Sequence, residues 1–325
     1  MAKPMPAAEV DVPAGLVRRL LAGQHPDLAS LPVSFLANGW DNVLYRLGSR
    51  LLVRLPRRAL GAEIIVNEQR WLPLLAPRLP LPVPAPERTG LPAFGYPYSW
   101  SVVPFIPGIP AASVFAGAGG GQAEPAGPGA LDWADVTGSL ARFLGALHVP
   151  APADPPRNPR RGGPLASRAD LFADNLQIAL AADGAAGGVP RASRNAVLGA
   201  WADALAAPVY AGPPLWLHGD LHPANILHSE RRLSGVIDFG DITAGDPASD
   251  LSAAWMLLPL EWHGAFRAAY AAAGGPGDSA ANDSALWRRA RGWALALGLA
   301  FLAHSADNPE LLRIGRRTLA AVLAG

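Results

Sequence analysis

Apolar residues recur at helical spacing over 13–22 (Pro-Ala-Gly-Leu-Val-Arg-Arg-Leu-Leu-Ala), with a proline at the start where a helix tolerates one, and predict a helix there. Two alternating runs follow. Val43-Leu-Tyr-Arg-Leu leads through Gly48-Ser-Arg into Leu51-Leu-Val-Arg-Leu, the pattern of a β-hairpin. Residues 60–75 return to a helical period. Pro80-Leu-Pro-Val-Pro-Ala-Pro must be an extended connector, because proline lacks the N–H and clashes with the preceding turn of a helix. Tyr98-Ser-Trp-Ser-Val-Val reads as a further strand and ends in Pro104-Phe-Ile-Pro-Gly. A boundary is expected there, between lobes at 1–104 and 105–325.

Beyond that point the pattern is mostly helical, with residues 131–148 clearly amphipathic. Three stretches rich in Gly, Pro and Ala (116–130, 149–164 and 181–193) read as mobile surface loops. Ala294-Leu-Ala-Leu-Gly-Leu-Ala-Phe-Leu-Ala is too short to span a bilayer and reads as a buried helix. Pro214–His218 and Asn225–His228 are apolar runs flanking a polar turn, and Leu233-Ser-Gly-Val-Ile-Asp completes a small hairpin. The expected class is α+β: a small antiparallel sheet in the first lobe and a mainly helical second lobe.

Composition narrows the partners. With 50% hydrophobic and 16% charged residues the chain can bury a large core. A net charge of +1 gives no general attraction to nucleic acid or to an acidic membrane. Cysteine is absent, so thiolate chemistry is excluded, and Met1-Ala-Lys-Pro-Met-Pro lacks the apolar core of a signal peptide. These features lead us to expect a cytoplasmic protein. The only lysine is Lys3, so any site that ordinarily uses lysine must use arginine.

The candidate chemistry lies in 215–251. His218-Gly-Asp-Leu-His-Pro-Ala-Asn places Asp220 five residues before Asn225, and Asp238 follows in Ile237-Asp-Phe-Gly-Asp. Protein kinases use such a trio to orient the attacking hydroxyl and to hold Mg²⁺. A neutral and a charged oxygen suit a hard cation that keeps few protein ligands. With Gly245-Asp-Pro-Ala-Ser-Asp-Leu just after, the segment resembles the signature of the aminoglycoside phosphotransferase family, a branch of the kinase-like fold that includes macrolide, choline and homoserine-type kinases. The likeness extends over nearly the whole chain. It implies a two-lobed protein-kinase-like fold, a nucleotide in the cleft between lobes, Asp220 as the catalytic residue, Asn225 and Asp238 as Mg²⁺ ligands, and Asp250 as a buried brace. Asp241 is read equally as an assistant to the metal and as a surface loop end.

In the first lobe Leu52 and Arg54 share one face of a strand, Leu52 over the base and Arg54 over the phosphates in place of the kinase lysine. Glu68 on the next helix is the expected partner of Arg54, with Glu63 as the alternative. Asn38-Gly-Trp-Asp-Asn stands where the family's loop covers the nucleotide, so Gly39, Asp41 and Asn42 are candidate phosphate contacts. At the hinge, Pro104 offers a C=O and Ile106 an N–H to the base.

The expected activity is therefore a Mg²⁺-dependent transfer of the γ-phosphate of ATP or GTP to a hydroxyl of a small molecule, as in antibiotic phosphotransferases. A metabolic kinase of the same fold and an inert nucleotide-binding protein are the alternatives. His218 and His222 flanking Asp220 allow a metallohydrolase, but the other histidines show no paired spacing. Trp71, Trp133, Trp201 and Trp293 are read as core, Trp255 and Trp262 as pocket candidates, and Asp170 and Asp174 as a solvated helix face.

Overall fold

The computed structural model describes residues 7–115, 131–182, 188–275 and 284–325. The expected loop 116–130 lies outside these residues, as does 183–187 of the third Gly/Pro/Ala-rich stretch. The chain forms two compact units, one from Met5–Pro107 with Val236–Asp241, the other from Gly108–Gly235 with Ile242–Gly325.

The first unit is built on a five-stranded antiparallel sheet. Its strands are β1 (Val33–Asn38), β2 (Asn42–Leu47), β3 (Leu51–Pro56), β4 (Arg88–Gly90) and β5 (Trp100–Pro104), in the order β1-β2-β3-β5-β4. The β2–β3 register pairs Val43 with Leu55, Tyr45 with Val53 and Leu47 with Leu51. These six residues form one face, and they bury against Leu16, Val17, Leu20 and Leu21 of α1 (Ala14–Gln24). The intervening pairs, Leu44 with Arg54 and Arg46 with Leu52, face the other way. The alternation thus spends the apolar residues on a core and leaves Leu52 and Arg54 together. Gly48 makes the hairpin turn at φ +58°, a conformation open to glycine without strain. Helix α2 (Ala59–Leu75) follows β3, and Pro73 falls in its last turn.

The second unit is mainly helical. Its helices are α3 (Trp133–Leu147), α4 (Ala169–Ala181), α5 (Arg194–Leu205), α6 (Ala248–Leu251), α7 (Ala253–Leu257), α8 (His263–Ala272), α9 (Ser284–His304) and α10 (Pro309–Ala324). Helix α9 is its axis, packed against α4, α5, α6 and α10, and it buries residues on all sides between Leu286 and Leu302. Among the described residues no helix is long and apolar enough to cross a membrane.

Short strands frame the polar turn. They are β6 (Ile109–Pro110), β7 (Leu215–Leu217), β8 (Ile226–Ser229), β9 (Arg232–Val236) and β10 (Thr243–Gly245). Strand β7 pairs with β10 and bridges through Leu215 to Pro150, while β8 lies between β6 and β9. The β8–β9 turn holds Glu230 and Arg231 at φ 48° and 69°, the left-handed pair that a two-residue hairpin loop demands.

The stretch 149–164 is not the free loop its composition suggests. Trp216 N–H donates to the Val149 carbonyl, Thr243 Oγ1 to that of Pro156, and Asp246 N–H to that of Gly162. A Cβ on Gly245 would lie 1.9 Å from the Gly162 oxygen, so only glycine lets the two backbones approach this closely. Among the tryptophans, Trp201 and Trp293 are core, and Trp201 stacks on Phe172 at 4.1 Å. Trp71 and Trp133 are half-buried. Trp255 is buried against His263 and Trp287, so it is core and not a pocket wall. Asp170 and Asp174 are exposed.

Candidate active site

In the second unit, the turn between β7 and β8 carries Asp220. Asp250, fully buried, accepts hydrogen bonds from His218 N–H (2.7 Å) and Gly219 N–H (2.9 Å) and so fixes the backbone just ahead of it. Gly219 sits at φ +86°. His148 Nε2 lies 3.3 Å from Asp250, and its Nδ1 is 2.6 Å from the Tyr270 hydroxyl. If Nε2–H donates to the carboxylate, Nδ1 accepts from Tyr270, so the brace continues through α3's end to α8. Burial works against the Asp250 charge, but His148 and the Gly219 N–H outweigh it and hold its carboxyl below the usual range.

Asp220 is gripped on both oxygens. Arg161 Nη2 is 2.6 Å from Oδ1, and His222 Nε2 is 3.3 Å from Oδ2. His222 Nδ1 accepts from Ala224 N–H, so the proton of the neutral ring sits on Nε2, facing Asp220. His218 Nδ1 accepts from the N–H of Asp220 itself. Burial favours the protonated acid, yet Arg161 and then His222 outweigh it, and the Asp220 carboxyl is held well below the usual range. Asn225 Nδ2 donates to the Asp220 carbonyl at 3.0 Å and also lies 3.3 Å from His222 Nε2, which leaves Oδ1 for a ligand.

In the first unit, Arg54 is the centre. Its Nη1 lies 2.9 and 2.7 Å from the two Glu68 oxygens, and its Nη2 lies 3.3 Å from Asp238 Oδ1. With its amide oxygen turned to Arg54, Asn42 accepts from Nη2 and Nε at 3.3 Å. Burial pushes the Glu68 carboxyl up to about 7, against the pull of Arg54, and the Asp238 charge adds to the rise. Asp238 itself is exposed and sits at φ +62°, turned outward beside the buried Phe239.

The remaining predicted residues spread around this cluster. Gly39 N–H closes the β1–β2 turn onto the Asn42 carbonyl at 2.8 Å, without a positive φ. Asp41 turns to Arg58 at 2.9 Å. Its backbone lies so close to α2 that a Cβ on Gly61 would come within 2.7 Å of the Asp41 oxygen. Leu52 stays half-buried on the Arg54 face. Phe105 N–H donates to the Arg50 carbonyl, so ladder alternation turns the Pro104 carbonyl away from β3, and the buried Ile106 follows. The structure therefore joins Arg54, Glu68, Asp238 and Asn42 in one cluster, and Asp220 with Asn225 in another.

Sequence reasoning did not single out Arg161, Tyr270, His148 or Arg289. Arg289 on α9 binds Asp246 of the Gly-Asp-Pro turn at 2.7 Å, both side chains buried. The signal for Arg161 was present as Arg160-Arg161-Gly162-Gly163 inside a stretch otherwise read as loop.

The carboxamide oxygen of Asn225 and the carboxylate of Asp238 are each of the hard-oxygen kind that Mg²⁺ favours. Among the described residues no group of three His, Asp or Glu side chains is placed to hold a metal, and the ring nitrogens of His222 are engaged by Ala224 and Asp220.

Comparison with known proteins follows this geometry. The profile of the phosphotransferase enzyme family matches residues 32–293. No curated protein matches the sequence. Among solved structures, the GDP complex of wild-type aminoglycoside 2'-phosphotransferase-IIIa superposes with a TM-score of 0.61 at 18% identity, covering 96% of this chain and 99% of that one. Macrolide 2'-phosphotransferase MphH from Brachybacterium faecium gives 0.58 at 22%, covering 91% and 98%. The streptomycin–ATP complex of APH(2")-IIa gives 0.56 at 16%, covering 94% and 95%. The fold is thus that of the kinase-like phosphotransferases, and with the profile spanning most of its length the chain belongs to the phosphotransferase enzyme family.

Proposed function

We propose that this enzyme moves the γ-phosphoryl group of ATP or GTP to a hydroxyl of a small molecule with the help of Mg²⁺, as a cytoplasmic protein. The observation that carries the reading is Asp220: an ionised carboxylate on a loop hung from a buried aspartate, with a carboxamide tied to its own carbonyl.

In the transfer, the acceptor oxygen forms a bond to the γ-phosphorus as the bond to the nucleoside diphosphate breaks. The hydroxyl proton passes to Asp220 and then to solvent. A carboxylate held well below its usual pKa is a weak base, so its main work is to orient the hydroxyl; this suits a loose transition state in which the proton leaves late. Arg54, kept in place by Glu68, supplies fixed positive charge for the phosphates, with Gly39, Asp41 and Asn42 around them and Leu52, Pro104 and Ile106 toward the base. Asn225 and Asp238 would hold Mg²⁺, which neutralises charge on the phosphate oxygens.

The direct test compares nucleotide turnover of the wild type and Asp220→Asn across an acceptor panel. Turnover is expected to fall roughly 10²–10⁴-fold in the variant, while a thermal shift with ATP or GTP persists and depends on Arg54. Unchanged turnover, or no shift with either nucleotide, would sink the reading.

A further inference from the structure

The segment that places Arg161 on Asp220 has an unusual charge balance. Between Asp154 and Asp170 stand Arg157, Arg160, Arg161 and Arg168, four cations against the two flanking carboxylates. Arg157 and Arg160 are exposed. Arg168 is only 7% exposed, at the start of α4, over the Trp293 ring at 5.8 Å. Its Nε has no hydrogen-bond partner, and among the described residues no carboxylate pairs with it. The first turn of α4 adds the positive end of a helix dipole. Arg161 and Arg160 lie near enough to repel it: burial, then these two charges, bring the Arg168 pKa down to about 10.

Leaving a buried guanidinium N–H unpaired is costly, and a second cation beside it makes it worse. Such an arrangement persists where an anion is meant to complete it. It is also built, not incidental. Gly245 leaves room for the Gly162 backbone, and the Asp246 N–H and Thr243 hydroxyl tie the segment to β10 and its end.

We propose that Arg160, Arg161 and Arg168 form an oxyanion subsite beside Asp220, and that the acceptor brings its own carboxylate or phosphate group to it. The acceptor is then a hydroxyl compound with a negative charge, such as a hydroxy acid or a phosphorylated alcohol, and not a polycation. Binding of the anion competes with Asp220 for Arg161 and releases Oδ1 toward the hydroxyl. The inference rests on the phosphotransfer reading for its use of Asp220, but the subsite is tested without nucleotide.

The experiment titrates inorganic phosphate and, separately, malonate into the full-length protein by calorimetry. The proteins are the wild type, Arg161→Gln, Arg168→Gln, the exposed Arg160→Gln, and the exposed Arg19→Gln on α1 as a control, each checked for folding by circular dichroism. Saturable binding is expected, weakened roughly tenfold or more in Arg161→Gln and Arg168→Gln, less in Arg160→Gln, and unchanged in Arg19→Gln. The relative strength of the two probes assigns phosphate or carboxylate. No binding, or binding that Arg161→Gln and Arg168→Gln leave unchanged, overturns the subsite. In turnover, KM for anionic acceptors should rise about tenfold in Arg168→Gln with kcat little changed. Phosphorylation of aminoglycosides alone, insensitive to Arg168→Gln, overturns it too and leaves phosphotransfer standing. Loss of nucleotide turnover with phosphate binding intact fails the reading and spares the subsite.

Discussion

Arg54→Met should make the stability of this protein depend steeply on pH, and the size of the effect follows from Glu68. That carboxylate is 3% exposed, and the guanidinium of Arg54 lies 2.7 Å from it. Its folded pKa is already raised from 4.5 to about 7. For an acid raised in this way, the folded state holds a proton that the unfolded chain has released. The stabilisation is complete below about 4.5 and is lost as pH climbs through about 7. At about 1.36 kcal/mol per pH unit, the interval corresponds to about 3 kcal/mol. Removing Arg54 removes the pull that lowers the pKa, so the window extends to higher pH. At pH 8.5 the variant faces a buried carboxylate without its cation, a loss of about 3–5 kcal/mol. At pH 5.5 Glu68 is protonated in both proteins and the loss shrinks to roughly 1 kcal/mol, one hydrogen bond's worth. Urea unfolding at pH 5.5, 7 and 8.5 measures this, with Glu68→Gln and the double variant Arg54→Met/Glu68→Gln as references. In the Gln background the pH-dependent part of the Arg54→Met effect should vanish. If Arg54→Met costs the same at both ends of the range, or if Glu68→Gln does not flatten the difference, the account of this pair is wrong.

Three further outcomes are expected. Asp250→Asn keeps one acceptor for the two backbone N–H groups of His218 and Gly219 and loses the charge opposite His148; the urea midpoint should correspond to a loss of about 3 kcal/mol, and kcat should fall with it because the Asp220 loop loosens. Gly245→Ala puts a methyl 1.9 Å from the Gly162 oxygen; a loss of about 1–3 kcal/mol is expected, and as Arg161 is displaced the acid limb of kcat/KM should move to higher pH, since Arg161 is the foremost group holding the Asp220 pKa down. Tyr270→Phe leaves His148 Nδ1 buried without a donor; differential scanning should show about 1–3 kcal/mol lost, and no loss would mean that the Tyr–His–Asp chain does not brace the loop.

The extent to which the sequence announced all this depended on whether a signal was local. The β2–β3 hairpin, α1 and α2 each have a period, and the structure places them within a residue or two of expectation. The Asp220–Asn225 loop was legible because its residues are contiguous. Arg54 and Glu68 could be paired because a strand face and a helix face lie one connection apart. Strands β1 and β4 were missed: β1 is an edge strand with Phe35 and Leu36 exposed and a bulge between Phe35 and Ala37, which spoils its alternation, and β4 is three residues long. Arg161 was hidden by composition. Gly, Pro and Ala announce a loop, but not that Gly245, more than eighty residues on, would hold that loop against β10. The same holds for Arg289 with Asp246 and Tyr270 with His148, pairs that only the packing of α8 and α9 creates.

The arginine on β3 also decides how this enzyme can be found. Reactive nucleotide analogues mark their targets by transferring an acyl or sulfonyl group to a lysine amine beside the phosphates. A guanidinium keeps its proton at any working pH and offers no such nucleophile. With Arg54 on that strand and Lys3 the single lysine of the chain, a proteome-wide survey that labels lysine amines has no target on β3, and lysine acetylation has none there either.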